Sequence, residues 1–237
     1  MAERQSTFLS RSVQLVETLA AFRLHQGEPV MRLEQRIDNY VRETKFPRSL
    51  FVSEDGRVVG TWIVGNDYRV KSSYYGGYPA GYLRRIKSLF PDKRRVLHLF
   101  SGKVDLAELP GDTVDVNPEL TPTYVDDAQR LERVPLSDYD LVLADPPYSV
   151  EDADRYQTTM VKRNTVLSAL RGLSPGAHVV WLDQVLPLYR KDSFDVEAVI
   201  GMVKSTNHRF RVVTIFRRLE RITETVATPL LEYAADG

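Results

Sequence analysis

Residues 141–148 read Leu-Val-Leu-Ala-Asp-Pro-Pro-Tyr, and this stretch decides the fold. Its first four residues are apolar without alternation, which is typical of a strand buried on both faces of a parallel sheet. Asp145, Pro146, Pro147 and Tyr148 follow directly where that strand ends. Ligands of open parallel sheets bind beyond the carboxyl ends of the strands. The sequence therefore predicts that these four residues lie at a functional site and not in an ordinary loop.

Alternating strands and helices surround this stretch from about residue 80 onward. Apolar runs predict core strands at 95–100, 113–116, 123–125, 140–144 and 178–182, and helical spacing predicts helices at 82–90 and 159–173. The segments 196–203 and 210–217 are joined by a short polar stretch and resemble an antiparallel pair. This order predicts an α/β fold whose sheet is mostly parallel and is closed by an antiparallel strand.

The first 73 residues follow a different pattern. Apolar positions have helical spacing at 8–24 and at about 31–42, and residues 50–64 read as a hairpin around the turn Asp55-Gly56. We therefore expect two parts, an N-terminal helical and hairpin appendage at 1–73 and a core domain at 74–237.

Composition excludes several classes of protein. The chain of 237 residues has no cysteine, so disulfides and thiolate catalysis are excluded, and its four histidines are too scattered to predict a metal site. No apolar run reaches the roughly 18 residues that a membrane span needs. The N-terminus lacks the apolar stretch of a signal peptide, and we expect a cytoplasmic protein without membrane association.

The net charge of zero hides an asymmetry along the chain. Residues 57–95 contain nine Lys or Arg against two acids, whereas residues 104–154 contain fourteen Asp or Glu against two arginines. A basic segment is what phosphate binding requires, and an acidic one suits a cationic ligand. The plain alternative is that both segments are solvated faces.

Four residues with useful chemistry each follow one of four successive predicted strands: Gly102, Asp115, Asp127 and Asp145. Gly102 would allow a close approach of ligand to backbone. The Asp115 carboxylate could accept hydrogen bonds from both hydroxyls of a ribose. The Asp127 carboxylate could accept one from the amino group of an adenine ring. Taken singly, each residue could equally serve as a turn or a cap. Together they converge on one edge of the sheet.

These motifs resemble, in the same order, those of class I S-adenosylmethionine-dependent methyltransferases. The resemblance rests on Val96–Gly102, Asp115–Pro118, Asp127–Ala128 and Tyr139–Tyr148. More narrowly, the chain is similar to amino-methyltransferases with an Asp-Pro-Pro-Tyr motif, a group that includes DNA adenine-N6 methyltransferases. Residues 75–79, Tyr-Gly-Gly-Tyr-Pro, resemble the cofactor motif that precedes the first strand of those enzymes. The likeness covers roughly residues 74–218 and implies a Rossmann-like class I methyltransferase fold.

The resemblance implies S-adenosyl-L-methionine as the cofactor and no metal. It implies that Asp145 and the carbonyl of Pro146 hold an exocyclic amino group, that Pro147 completes the motif, and that Tyr148 stacks on the target base. The cofactor-binding residues that it implies are Tyr75, Gly77, Phe100, Ser101, Gly102, Asp115, Val116, Asp127, Ala128 and Asp145.

The implied substrate is adenine N6 in DNA, with nucleic acid as the partner and DNA favoured over RNA. Two alternatives stay open: a methyltransferase for RNA guanine N2 or another amine, and a non-catalytic subunit that keeps the fold. The chain departs from the family in its glycine loop, where Lys103 follows Gly102, and in having only twelve residues between Phe100 and Thr113. It also lacks a visible target-recognition insertion, so a homodimer or a partner subunit would fit.

Overall fold

A nine-stranded sheet organises the protein in this computed structural model, which describes residues 31–65, 77–148, 160–205 and 209–220. The chain divides into two compact units, Met1–Arg32 and Leu33–Gly237. All elements below belong to the second unit. In chain order they are α1 (Leu33–Thr44), β1 (Leu50–Val52), β2 (Val58–Val64), α2 (Tyr82–Leu89), β3 (Val96–Leu99), β4 (Asp112–Asp115), β5 (Tyr124–Val125), β6 (Leu141–Ala144), α3 (Arg163–Ala169), β7 (His178–Asp183), β8 (Phe194–Lys204) and β9 (Phe210–Arg218).

The strand order is β1-β2-β8-β9-β7-β6-β3-β4-β5. Strands β5, β4, β3, β6 and β7 are parallel neighbours, whereas β9 is antiparallel to both β7 and β8. The chain therefore begins this parallel part at β3, runs outward to β5, and returns to the other side of β3 with β6. This reversal creates a topological switch point between β3 and β6. The predicted Rossmann-like α/β fold, mostly parallel with an antiparallel closing strand, is confirmed.

The central strands are buried on both faces. Leu141 and Leu143 of β6 face a core that includes α1, α2 and β2, whereas Val142 and Ala144 face a second core that includes α3. Successive side chains of a strand point to opposite faces, so both cores divide the strand between them. This arrangement explains why β6 reads as an uninterrupted apolar run.

The hairpin at residues 50–64 differs from the prediction of a separate appendage at 1–73. Its strand β2 pairs in parallel with β8, so the hairpin extends the main sheet. Helix α1 likewise packs on α2, where the buried Arg36 donates to the carbonyl of Leu89. Pairing with β2 gives the outer strand β8 a partner for its backbone groups, which an exposed edge would leave unpaired. The helix predicted at 8–24 lies outside the described residues.

Helical structure is sparse on the β4 and β5 side of the sheet. Residues 100–111 form turns without a helix, as their small number suggests. The two connections that follow contain only the short 3-10 helices Pro118–Leu120 and Leu136–Asp138. None of the described helices is both long enough and apolar enough to cross a bilayer.

Candidate functional site

The carboxyl ends of β5, β4, β3 and β6 form one edge of the sheet. Leu99, the last residue of β3, is aligned with Ala144 on one side and with Val114 on the other. The residues that follow these strands therefore emerge side by side. This placement brings Gly102, Asp115, Asp127 and Asp145 to a single edge, as the sequence predicted.

Asp115 holds the ends of β3 and β4 together. Its Oδ2 accepts a hydrogen bond from the backbone N–H of Gly102, and its Oδ1 accepts one from the N–H of Asn117, both at 3.0 Å. Phe100 and Gly102 have φ angles of 55° and 51°, a left-handed conformation that is uncommon for a bulky residue such as phenylalanine. Such backbone conformations concentrate at ligand sites. The loop after β3 is thus shaped around a carboxylate.

Asp127 acts as a turn cap in this structure. Its Oδ1 accepts a hydrogen bond of 2.9 Å from the N–H of Gln129, and its carbonyl accepts bonds from two further backbone N–H groups. This is the plain alternative that the sequence left open. Ala128 beside it is buried, and Val116 after β4 is 45% exposed. Cofactor binding by these three residues stays a prediction.

The motif after β6 is closed on itself. The Tyr148 hydroxyl donates a hydrogen bond to Oδ1 of Asp145, and the guanidinium of Arg211 from β9 lies 4.6 Å from the centre of the Tyr148 ring. Burial and the negative charge of Asp145 raise the pKa of Tyr148 well above its usual value, so this hydroxyl stays a donor. Pro146 and Pro147 are buried between them. A ligand that donates a hydrogen bond to Asp145 must therefore share this carboxylate with Tyr148 or displace the Tyr148 hydroxyl.

Two tyrosines that precede and begin α2 lie on the same face of the sheet as Asp145. Tyr82 is fully buried in the core that Leu141 and Leu143 face, and Asp145 continues their alternation at the end of β6. The rings of Tyr78 and Tyr82 are stacked, with centroids 5.3 Å apart. Tyr78 also contacts the ring of His98 in β3 at 6.0 Å.

Electrostatics link this tyrosine pair to the motif. Burial, and after it the Asp145 carboxylate, raises the pKa of the Tyr78 hydroxyl well above its usual value. Burial raises the pKa of Tyr82 in the same way, while the cation of Arg211 opposes the shift. The sequence analysis did not identify Arg211. Residues 211, 213 and 215 of β9 alternate onto one face of the strand, and Val213 and Ile215 belong to the same core as Tyr82. This alternation would have placed Arg211 on the face of the sheet that carries the tyrosine pair.

The basic segment that precedes β3 is only partly available to a polyanion. Arg85 is buried, with its guanidinium 4.1 Å from the Phe46 ring centre and hydrogen-bonded to the Tyr40 hydroxyl. Arg84 donates to the carbonyl of Glu43, and Lys87 is exposed. Arg85 therefore stabilises the α1–α2 packing and is not available to contact phosphates.

Asp183, the last residue of β7, has a carboxylate that accepts four hydrogen bonds. Asp183 is fully buried and accepts hydrogen bonds from Nε and Nη2 of Arg163, at 2.6 and 3.1 Å. Trp181 Nε1 and the N–H of Gln184 complete its four bonds. Because Arg163 begins α3, this pair fixes the helix that follows the Asp-Pro-Pro-Tyr motif in the chain.

Two predicted cofactor residues precede α2. Tyr75 lies outside the described residues, and Gly77 is exposed, with open space where a Cβ would stand.

Ser101, a further predicted cofactor residue, follows β3. It is buried, and its backbone N–H donates to the carbonyl of Val114 at 3.2 Å. The described residues contain no group of His, Asp or Glu arranged to hold a metal ion.

A comparison with solved structures found several similar chains, two of which are structures of one protein. No family model matches the chain, and no curated protein sequence matches it. The N-methyltransferase NodS from Bradyrhizobium japonicum WM9 is similar at 14% identity, over 58% of this chain and 93% of that chain, with a TM-score of 0.39. The complex of NodS with S-adenosyl-L-homocysteine is similar at 11% identity, over 58% of this chain and 84% of that chain, with a TM-score of 0.41.

Proposed function

We propose that the protein transfers a methyl group from S-adenosyl-L-methionine to an exocyclic amino group of a nucleobase, with adenine N6 in DNA as the substrate. The observation that carries the proposal is the position of Asp145 and Tyr148. They stand at the carboxyl end of β6, beside the switch point and the loop clasped by Asp115. Ligands of such sheets bind at this position.

The residues at this edge fit the proposed cofactor. Asp115 already orders the β3 loop through one hydrogen bond to each oxygen, and a carboxylate oxygen can accept more than one. The second acceptor site on each oxygen suits the two ribose hydroxyls of a nucleoside. The cofactor supplies an electrophilic methyl group on a sulfonium, and carboxylates such as Asp145 stabilise a cation nearby.

Asp145 is the group that would prepare the amine. A nucleobase amino nitrogen is a weak nucleophile because its lone pair is delocalised into the ring. A hydrogen bond from the N–H to Asp145 and another to the Pro146 carbonyl would hold the nitrogen pyramidal and aimed at the methyl carbon. This orientation and the fixed negative charge together would lower the activation barrier of methyl transfer by several kcal/mol, on the order of what positioning alone supplies in intramolecular reactions. No covalent enzyme intermediate is required.

The Tyr148 hydroxyl would release Asp145 when the base enters, and the Tyr148 ring would stack on the base. A base within a duplex must be flipped out, and enzymes hold flipped bases between aromatic side chains. One face of the Tyr148 ring is covered by Arg211, so the opposite face is the one that would receive the base. A dimer or a partner subunit would supply DNA recognition, since Arg85 of the basic segment serves internal packing and the sequence shows no target-recognition insertion.

The decisive experiment is methyl transfer from labelled cofactor to separate DNA and RNA pools, followed by digestion to nucleosides. We expect labelled N6-methyladenine from DNA. Asp145→Asn should lower the single-turnover rate by about 100-fold or more, because the amide cannot accept as a charged carboxylate does. Exposed Asp192, which pairs with Arg190 at the protein surface, supplies the control Asp192→Asn with an unchanged rate.

Each other result identifies an alternative. Label in N2-methylguanine from RNA would point to the RNA enzyme. Calorimetry that detects no cofactor binding, with or without nucleic acid, would favour a non-catalytic subunit. Equal rates for the parent and Asp145→Asn would rule out the proposed role of the carboxylate.

A further inference from the structure

Two tyrosine hydroxyls are buried near Asp145 with no hydrogen-bond partner in the part of the chain that the structure describes. Among the described residues, neither the hydroxyl of Tyr78 nor that of Tyr82 makes a hydrogen bond. Tyr82 is 0% exposed, so bulk water does not serve it. Buried hydroxyls in native proteins nearly always have a partner. An unpaired couple next to a reactive carboxylate therefore indicates a ligand that pairs with them.

The chemical character of that ligand follows from the protonation state of the two phenols. Burial and the neighbouring Asp145 keep both pKa values high, so both groups remain O–H donors at working pH. Tyr148 has a different part in the proposed function, since its ring stacks on the base and its hydroxyl is bonded to Asp145 before the base enters. The site thus offers one carboxylate acceptor and two nearby phenolic donors.

We propose that Tyr78 and Tyr82 determine specificity by donating hydrogen bonds to the ring nitrogens that flank the amino group held by Asp145. This inference rests on the proposed function and assigns the residues that select its base. Adenine presents an acceptor on each side of its amino group, N1 and N7. Cytosine offers one such nitrogen, and guanine presents an N–H donor next to its amine. Adenine is therefore the base whose amino group and two flanking ring nitrogens match one carboxylate acceptor between two phenolic donors.

The position of the pair supports this assignment. The two rings are stacked at i and i+4 where α2 begins, and Tyr78 rests against His98 in the strand next to β6. Asp145, the two tyrosines and Arg211 all belong to one face of the sheet. Ring stacking fixes both phenols, so their hydroxyls need little ordering when a base binds.

The test is a double-mutant cycle between each hydroxyl and each ring nitrogen. Single-turnover rates are measured for the parent, Tyr78→Phe and Tyr82→Phe on oligonucleotides that carry adenine, 1-deazaadenine or 7-deazaadenine at the methylated position. Removing one donor or its nitrogen should slow transfer by about tenfold or more. Removing both partners of one bond should cost no more than removing either. Tyr189 is half-buried and packs against the core of the opposite face, so Tyr189→Phe should match the parent on all substrates.

Cofactor affinity and thermal stability complete the experiment. Each phenylalanine variant should bind S-adenosyl-L-methionine within about twofold of the parent and should unfold at the same or a higher temperature, because an unpaired hydroxyl is removed. Additive losses for every pair, or a parent indifferent to both deaza bases, would overturn the assignment. So would a loss of cofactor affinity that equals the loss of rate, since it would place the hydroxyls on the cofactor. A parent that methylates no nucleobase would instead defeat the proposed function first.

Discussion

His98 connects the tyrosine pair to the centre of the sheet through an uncharged imidazole. It is fully buried in β3, and its Nε2 lies 3.0 Å from the carbonyl of Leu109. A carbonyl only accepts, so Nε2 carries the proton. Burial lowers the pKa of His98 to about 4, and the hydrogen bond to Leu109 offsets only part of that effect. The ring against which Tyr78 packs is therefore neutral at working pH.

This neutral histidine predicts acid sensitivity. Between about pH 6.5, the ordinary histidine pKa, and about pH 4, the unfolded chain binds a proton at His98 that the folded chain does not. The free energy of unfolding should therefore fall as pH falls through this window. His98→Gln keeps a donor for Leu109 but does not titrate, so urea unfolding at a series of pH values should give a shallower slope. Buried His178 acts in the same direction and should leave some slope. Identical slopes in parent and variant would contradict the assignment.

Helix α3 and strand β7 depend on the Arg163–Asp183 pair for their relative position. Asp183 is fully buried, and removal of one partner from a buried pair leaves an uncompensated charge. We expect Asp183→Asn to destabilise the fold by about 3 kcal/mol, measured by denaturant unfolding. The proposed methyl transfer should slow as well in single-turnover measurements, because α3 follows the motif in the chain. The exposed pair Arg190–Asp192 provides the matched control, and Asp192→Asn should leave the unfolding midpoint unchanged. Equal midpoints for both variants would show that the buried pair is not an anchor.

The strands were predictable from the sequence because each buried strand is an apolar run bounded by turn residues. Their observed ends lie within two residues of the predicted ones, as β6 and β7 illustrate. The partner of the hairpin was not predictable. Pairing of β2 with β8 joins segments that are about 140 residues apart, and local alternation carries no information about which edge a strand meets.

The candidate site divides in the same way. The ends of the parallel strands must share one edge, so the convergence of Asp115 and Asp145 followed from strand order alone. Two of the side chains near Asp145 come from α2 and β9, and only tertiary packing brings Tyr82 and Arg211 together. Arg85 shows the limit of reading charge along the chain. It belongs to the basic segment that phosphate binding would require, but tertiary packing buries it in the core.

For the molecule as a whole, a ligand that binds only the folded state must raise its stability. If S-adenosyl-L-methionine binds at the edge formed by β3 and β4, a concentration of 100 times its Kd should add about 2.7 kcal/mol to the free energy of unfolding. Asp115→Asn should lose most of this increment, because the variant lacks one charged acceptor and loosens the clasp on Gly102. Asp195 lies at the opposite end of the sheet, where Arg217 of β9 is aligned with Asp195 in β8 on one side and with His178, the first residue of β7, on the other. Asp195→Asn should therefore keep the full increment. Thermal unfolding with and without cofactor measures both. An equal loss in the two variants would mean that the cofactor stabilises the protein from some other surface, and the edge that unites Gly102, Asp115 and Asp145 would then need another ligand.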